Sequence, residues 1–347
     1  MNSYDRVMAA LKGKREELDY IPCVNPASSC TLELMEHFSV WWPDVHRNAE
    51  KMAKIGSAAH RVCGLDMITI PFDMVVEAEV FGVNIDYHED RGKSKYGFWP
   101  SIRKPLSKRI VPPIVPDNIQ ERGRVGIIVK AIKLLKNEFG GKVPVNVQMI
   151  PPFTSLSYYV LDTVSFCLTL AREPEEVKAV LDEALPAYVE LAKIYSEAGA
   201  DIITFHDMAA HAKMISGKQF EQLVKPYMKR LTEIPDISII NICGLTIPLL
   251  NHMIKCGATA IAIDETNPMR EARSIVDKVK EGYPIIGNLS PRDLLCEGTP
   301  EQIRASVKNI IEEGVSLVAP GCDLVLETPT KNLCAMVEAT KKNGKIA

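Results

Sequence analysis

The chain contains no uninterrupted apolar stretch of 18 residues, so no membrane span is expected. Its opening residues, Met1-Asn2-Ser3-Tyr4-Asp5-Arg6, hold no apolar signal core. No long basic run occurs. Lys+Arg 41 against Asp+Glu 44 leaves a formal net charge of −3, so nucleic acid is not expected as a partner. There is no CxxC pair and no HExxH, and the Gly140-Gly141 pair lacks the context of a phosphate loop. Nine cysteines are present, an odd number spread over 347 residues, which excludes a dense secreted disulfide scaffold. The expectation is a cytoplasmic protein with reduced thiols, most of them buried as small hydrophobes.

What is present is ordinary globular composition, 46% hydrophobic and 24% charged. That is enough apolar surface for a full core and excludes global disorder or a coiled coil. At about 150 residues per domain the length suits two domains or one large barrel. Eight short apolar, β-branched runs recur, at 20–25, 66–71, 143–150, 201–206, 237–242, 258–264, 284–288 and 315–319. Runs of this kind, bounded by Gly, Pro or polar residues, read as strands buried on both faces of a parallel sheet. Helical patterns lie between most of them. Pro174 and Gly199 bracket one helix, with a kink expected at Pro186, and Thr299 is the expected N-cap of another that Gly314 closes. Eight such units predict a single (β/α)8 TIM barrel over 1–347, with a doubly wound sheet as the rival. Residues 79–124 break the rhythm. Val80 to Tyr87, a polar turn at 89–95 and Tyr96-Gly97-Phe98-Trp99 read as a β-hairpin, followed by Pro112, Pro113 and Pro116; the insertion is expected to cover one rim of the barrel.

In a parallel barrel the loops after the strands carry the chemistry. Those loops place His206, Asp207 and His211 after the fourth run, and Asn241 and Cys243 at the fifth. Asp264 and Glu265 follow the sixth, Asn288 and Ser290 the seventh, and Cys322 and Asp323 the eighth. A lone cysteine is most often a buried small residue, but thiols, imidazoles and carboxylates converging on one face suit zinc. Asp207 and Asp264 are the candidate catalytic acids, and Asn288 and Ser290 the candidate cofactor contacts. Cys256 reads as core, and Cys23, Cys63, Cys167, Cys296 and Cys334 lack partner chemistry in sequence. Trp41-Trp42 reads as packed aromatics. Asp44-Val45-His46 begins like the cobalamin-ligating Asp-x-His-x-x-Gly motif, but Ala49 stands where Gly is required.

Five segments carry a resemblance: Asn241-Ile242-Cys243-Gly244, Gly287-Asn288-Leu289-Ser290-Pro291, Gly298-Thr299-Pro300-Glu301, Ala319-Pro320-Gly321-Cys322-Asp323 and Thr328-Pro329-Thr330-Lys331-Asn332-Leu333. With Leu32-Glu33-Leu34-Met35 and Trp42-Pro43-Asp44-Val45-His46, they make the chain resemble the uroporphyrinogen decarboxylase superfamily. Within it, the chain is most similar to the methylcobamide:coenzyme M methyltransferases. The resemblance implies one barrel and a zinc ion held by a His-x-Cys pair after the fifth strand and a Cys after the eighth. An acidic residue near the end of the sixth strand completes the site. Cys243, Cys322 and Asp264 match three of those positions. Asn241 stands where the family has histidine, and an amide is a weak zinc ligand beside imidazole. His206, on the neighbouring strand, is the candidate substitute. The superfamily's decarboxylases hold their substrate's carboxylates with arginines just after the first strand. Here that stretch is Val24-Asn25-Pro26-Ala27-Ser28-Ser29-Cys30, without a cation, which speaks against porphyrinogen decarboxylation.

The resemblance therefore implies a zinc-dependent methyltransferase moving a methyl group between a corrinoid, methylcobalamin on a partner protein, and a small thiol or methylated substrate. Zinc would lower the pKa of the thiol, and the thiolate would attack the methyl on cobalt. Two other readings stand beside it: a decarboxylase of a less acidic substrate, and a non-catalytic corrinoid-binding protein in which Asn241 marks a lost metal site.

Overall fold

The computed structural model describes residues 1–90 and 98–346. Its strands are β1 (Ile68–Ile70), β2 (Ile85–Asp86), β3 (Ser101–Ile102), β4 (Val145–Met149), β5 (Ile202–His206), β6 (Ser238–Ile242), β7 (Ala260–Ile263), β8 (Ile285–Leu289) and β9 (Leu317–Pro320). Seven of them form one parallel sheet in the order β1-β4-β5-β6-β7-β8-β9. Five fall inside an expected run, and β8 and β9 each extend one residue past theirs, to Leu289 and Pro320. The order follows the chain, as it does when each strand is returned by a crossover helix.

The strand residues alternate between two apolar clusters. Ile203, Phe205, Ile240, Ile242, Ile261 and Ile263 pack outward against the helices. Val24, Met67, Ile202, Ile239, Ala260, Ile286, Leu317 and Ala319 share a second cluster with Val7, Ala10 and Leu11 of the first helix, Ser3–Leu11. Residues from both edges of the sheet meet in that second cluster, which requires the sheet to curl. The helix Ser3–Leu11 plugs one end of the resulting trough, its Asn2 cap accepting from the Asp5 N–H.

The expected first strand, 20–25, is corrected. It makes one parallel bridge, Cys23 to Val318, and is not a strand. Pro22 and Pro26 remove the N–H groups a ladder needs. The segment still lies between the sheet's edges. Val24 N–H donates to Val318 O at 2.9 Å, Val318 N–H donates to Pro22 O at 3.0 Å, and Asp66 N–H donates to Cys23 O at 2.7 Å.

The hairpin is smaller than expected. β2 and β3 pair through Ile85↔Ile102 and Asp86↔Ser101. Val80, expected in the hairpin, ends a helix over Val76–Val80, where Glu77, Ala78 and Glu79 favour helix over strand. Of the expected turn and second arm, residues 91–97 lie outside the described residues; the arm that pairs begins at Ser101. The helix around Pro186 is a single element, Pro174–Glu197. Thr299 caps Pro300–Glu312 with a full capping box through Gln302.

Beside the end of β1, a buried ionic cluster ties three elements together. Arg124 donates to both Asp73 oxygens, at 2.7 and 2.9 Å, and to Glu79 at 2.8 Å. His46 Nδ1 lies 3.0 Å from Asp73 Oδ2. Burial alone would raise the Asp73 carboxyl, but Arg124 and His46 outweigh it and hold it well below the carboxylate range. Next to them Glu77 is buried, accepts from the Ile150 N–H at 3.0 Å, and has no cation of its own. Burial pushes its carboxyl up to about 8.

A folded-state value above the unfolded one means the native protein binds the extra proton. Glu77 therefore costs stability progressively as pH rises from about 4.3 through 8. Glu77→Gln keeps the acceptor and removes the titration. Its melting temperature should match the wild type near pH 4 and exceed it by pH 9, read by calorimetry; a pH-independent difference would exclude this account.

Candidate metal centre

Above the apolar base, the inward positions of the curled sheet become polar. Asn146 Nδ2 donates to Thr69 Oγ1 at 3.1 Å and to Pro26 O at 3.0 Å, and its Oδ1 accepts from Thr204 Oγ1 at 2.8 Å. One layer higher stand Gln148, His206 and Asn241. The β5–β6 register sets His206 opposite Asn241. Because strand side chains alternate, residue 241 faces inward with residue 239, and Cys243 continues that direction into the loop.

His206 is fully buried, and its Nε2 lies 3.1 Å from Cys243 Sγ and 3.6 Å from Cys322 Sγ. The two sulfur atoms are in disulfide contact, their Cα atoms 6.1 Å apart across 79 residues of sequence. One nitrogen and two sulfurs thus lie within 4.8 Å of one another. Burial pushes the His206 imidazole down to about 4, so it stays neutral and keeps a lone pair. On its other side, Gln148 Nε2 lies 3.1 Å from His206 Nδ1, while Gln148 Oε1 is buried without a partner. Asn241 Oδ1 is likewise buried and unpartnered.

Backbone freedom makes this approach possible at two points. Gly244, at φ +99°, turns the chain directly after Cys243. At Gly321 a Cβ would stand 2.8 Å from Asp264 Cα and 2.6 Å from Glu265 Oε2, so only glycine lets the Cys322 loop pass there.

The remaining expected site residues take other places. Asp264 lies outside the three-donor group. Its Oδ2 accepts from the Gly244 N–H. Its Oδ1 accepts from the Thr266 N–H at 3.0 Å and from Asn267 Nδ2 at 2.9 Å. Asn288 Nδ2 donates to Asn267 O at 2.7 Å, so it supports the same loop. Ser290 caps the following turn by accepting from the Asp293 N–H at 3.1 Å. Asn288 and Ser290 line a separate cavity with Glu265. Asp207 accepts from Thr154 Oγ1 and N at 2.5 and 3.1 Å; burial outweighs those bonds and pushes it up to about 7. His211 packs against Gly244 at the rim.

A cavity of about 510 Å³ opens over Cys322, walled by Met74, Trp99, Tyr159, Arg292, Asp323 and Leu326 among others. Trp42 holds Trp99 edge-on, with ring centroids 5.0 Å apart. Asp323 accepts from the Ser28 N–H at 2.7 Å, and its Oδ2 is 3.8 Å from His206 Nδ1. Burial pushes it up to about 7. Among the described residues lining this cavity, Arg292 is the one basic side chain.

Gln148 and Tyr159 are absent from the sequence reading of the site, and Asp323 stands in it beside Cys322 without a role. The signal for Gln148 was available, since Val145-Asn146-Val147-Gln148-Met149 alternates polar and apolar inside a strand buried on both faces. Asp323 adjoins Cys322 in sequence. Tyr159 has no sequence signal, because it reaches the cavity only through the turns after β4.

A curled parallel α/β sheet with a thiol–imidazole group at its mouth defines the class, and comparison supplies the family. The uroporphyrinogen decarboxylase (URO-D) family matches residues 2–343, and the chain belongs to it. It is 34% identical over 343 residues, 97% of each chain, to the methylcobamide:CoM methyltransferase MtbA of Methanosarcina acetivorans. To a uroporphyrinogen decarboxylase of Thermodesulfovibrio yellowstonii it is 26% identical over 272 residues, covering 76% of this chain and 75% of that one. A solved methyltransferase from Methanosarcina mazei superposes with a TM-score of 0.90 at 28% identity, covering 99% of both chains. No helix among the described residues is long and apolar enough to cross a membrane.

Asp264 holds the turn that carries Cys243, so Asp264→Ala should free Gly244 and Thr266 from their shared acceptor. The expected result is a loss of about 1–3 kcal/mol in unfolding free energy and faster hydrogen exchange at Gly244. Unchanged exchange there would show that the turn stands without the carboxylate.

Proposed function

We propose that the chain is a zinc-dependent methyltransferase moving a methyl group between a corrinoid carried by a partner protein and a small thiol or methylated substrate. The observation that carries this is the His206–Cys243–Cys322 group, whose Cys322 lines a cavity of about 510 Å³. Three protein donors with a fourth position open to a ligand is the pattern of a catalytic rather than a structural zinc site. The reading is also supported by the names of relatives that share nearly the whole chain. We further read 1–347 as one domain, an eight-unit barrel in which 22–25 fills the eighth position.

Zinc bound there supplies Lewis acidity, which lowers the pKa of a thiol. The chain's own groups do the rest. His206 presents neutral Nε2. For that nitrogen to be the free lone pair, Nδ1 must carry the proton, and Gln148 then accepts it through Oε1; an amide turned that way also gives the orphaned oxygen a partner. Asp264 fixes the Cys243 turn. Asn241, opposite His206, offers an oxygen into the same layer. Asp323 lines the cavity beside Cys322 and is placed to take the proton a thiol releases.

The decarboxylase reading is disfavoured by charge. The wall around 24–30 offers Ser28 and, behind it, the carboxyl of Asp323, where several substrate carboxylates would need cations. The non-catalytic reading is disfavoured by the complete donor group, which survives the change at Asn241.

Metal analysis and turnover test the proposal together. Cys243→Ser or Cys322→Ser should remove most of the zinc with the fold intact, and stoichiometric zinc in the double variant would overturn the ligand assignment. His206→Ala and Gln148→Leu should each lower zinc affinity roughly 10- to 100-fold in chelator competition, while Asn241→His should tighten it. Affinity should fall at acid pH, because both thiols must lose protons to bind. The zinc-loaded chain should demethylate methylcobalamin with at least one thiol of a small panel. It should also purify colourless from a corrinoid-producing host, and a stoichiometric cobalamin spectrum after gel filtration would contradict delivery by a partner.

A further inference from the structure

We propose that residues 103–114, together with the helix Thr163–Arg172, form a docking face for an acidic surface of the protein that delivers the corrinoid; this rests on the methyl-transfer reading above. Large apolar side chains stand exposed here: Leu106 (44%), Val111 (44%), Ile114 (89%), Val164 (67%) and Leu168 (49%). Among the described residues only Met1, Phe98 and Val279 are comparably exposed large hydrophobics. Val164 and Leu168, four residues apart on one helix, share a face. An exposed apolar concentration of this kind marks a contact surface.

The two segments are joined. Leu106 N–H donates to Val160 O at 2.9 Å, and Asp162 N–H donates to Ser107 O at 3.1 Å. Both also run into the rim of the cavity over Cys322, through Tyr159 on one side and Trp99 and Pro100 on the other. A protein that holds a methyl donor over that cavity has this rim as one of its supports.

Charge selects the partner. Arg103, Lys104, Lys108 and Arg109 place four cations in seven residues, without an acid, on a chain of net charge −3. Arg103 reaches Asp86 at 3.9 Å. Lys104, Lys108 and Arg109 make no ion pair among the described residues. Asp162, the acid beside Lys108, is occupied in capping its own helix through the Ser165 N–H at 2.9 Å. A two-fold contact with a second copy would set these cations against themselves. Pro105, Pro112 and Pro113 lack N–H donors, which rules out strand addition and leaves side-chain docking.

The test uses the full zinc-loaded chain and a methylcobalamin-loaded host corrinoid protein bearing the Asp-x-His-x-x-Gly motif. Association is measured by fluorescence anisotropy, and turnover with free methylcobalamin is measured separately. Lys104→Glu/Lys108→Glu/Arg109→Glu should weaken association at least tenfold and flatten its salt dependence, with free-methylcobalamin turnover and zinc content unchanged. Ile114→Ser/Val164→Ser should weaken association without altering the salt slope. No association of the wild-type chain, or equal association by the charge-reversed variant, overturns the docking face. So does a charge-reversed variant whose only loss is binding to a DNA duplex. Failure of the wild type to turn over free methylcobalamin strikes instead at the methyl-transfer reading.

Discussion

The parallel register between β5 and β6 is the constraint on which the site depends. It sets Phe205 beside Ile240 and His206 beside Asn241. Side chains alternate with a period of two, so a slip of one residue would turn His206 out among the helices and bring Phe205 inward. The hydrophobic alternation forbids that slip: Ile203, Phe205, Ile240 and Ile242 are all committed to the outer cluster. The site therefore inherits its geometry from the core. The same period continues past the strand ends, which is why Cys243 meets His206 although 37 residues separate them.

The second sulfur arrives by a different route. Cys322 follows the last strand, and its approach needs the loop after β9 to pass tightly over the end of β7. Glycine at 321 permits that passage, and Asp264, underneath it, ties the Gly244 turn to Thr266 and Asn267. One carboxylate thus braces the loop of one cysteine while its backbone faces the loop of the other. Asn288 extends the brace by donating to both the Asp264 and Asn267 carbonyls. In this arrangement Asp264 and Asn288 position the site's walls, and the atoms that converge are His206, Cys243 and Cys322.

Much of this was legible in the residues because strand burial imposes a pattern that sequence displays. Seven β-branched runs became the seven sheet strands, and the Thr299 cap and the convergence of residues 206, 243 and 322 followed from their placement after those runs. The misses have physical causes. Residues 20–25 read as a strand by composition, but Pro22 and Pro26 cannot supply ladder N–H groups, so the segment only bridges the edges. Val80 read as hairpin although the Glu-Ala-Glu before it favours a helix. Gln148 was passed over because its function depends on a neighbour across the sheet, His206, and cross-strand partners are not written in a linear pattern.

The charge balance of the site explains why these particular groups sit together in a buried place. Two thiolates side by side with no cation would repel each other in a low-dielectric setting, so without metal the pair must stay protonated or be joined sulfur to sulfur. A divalent cation reverses this, since its charge is matched by two thiolates and the neutral imidazole adds none. The surrounding acids follow the same rule. Asp323, the acid beside Cys322, is raised to about 7 by burial, and Asp207 and Glu77 are raised by burial too, to about 7 and 8, while Asp73 ionises because Arg124 and His46 lie against it. A buried cation near the sulfurs would compete with any metal ion bound there; the chain instead keeps Arg124 paired with Asp73 and Glu79, and Arg292 out at the cavity rim. A Lewis acid held there would be matched in charge by its two thiolates, and the acid lying against the donor group would be Asp323, near enough to take a proton.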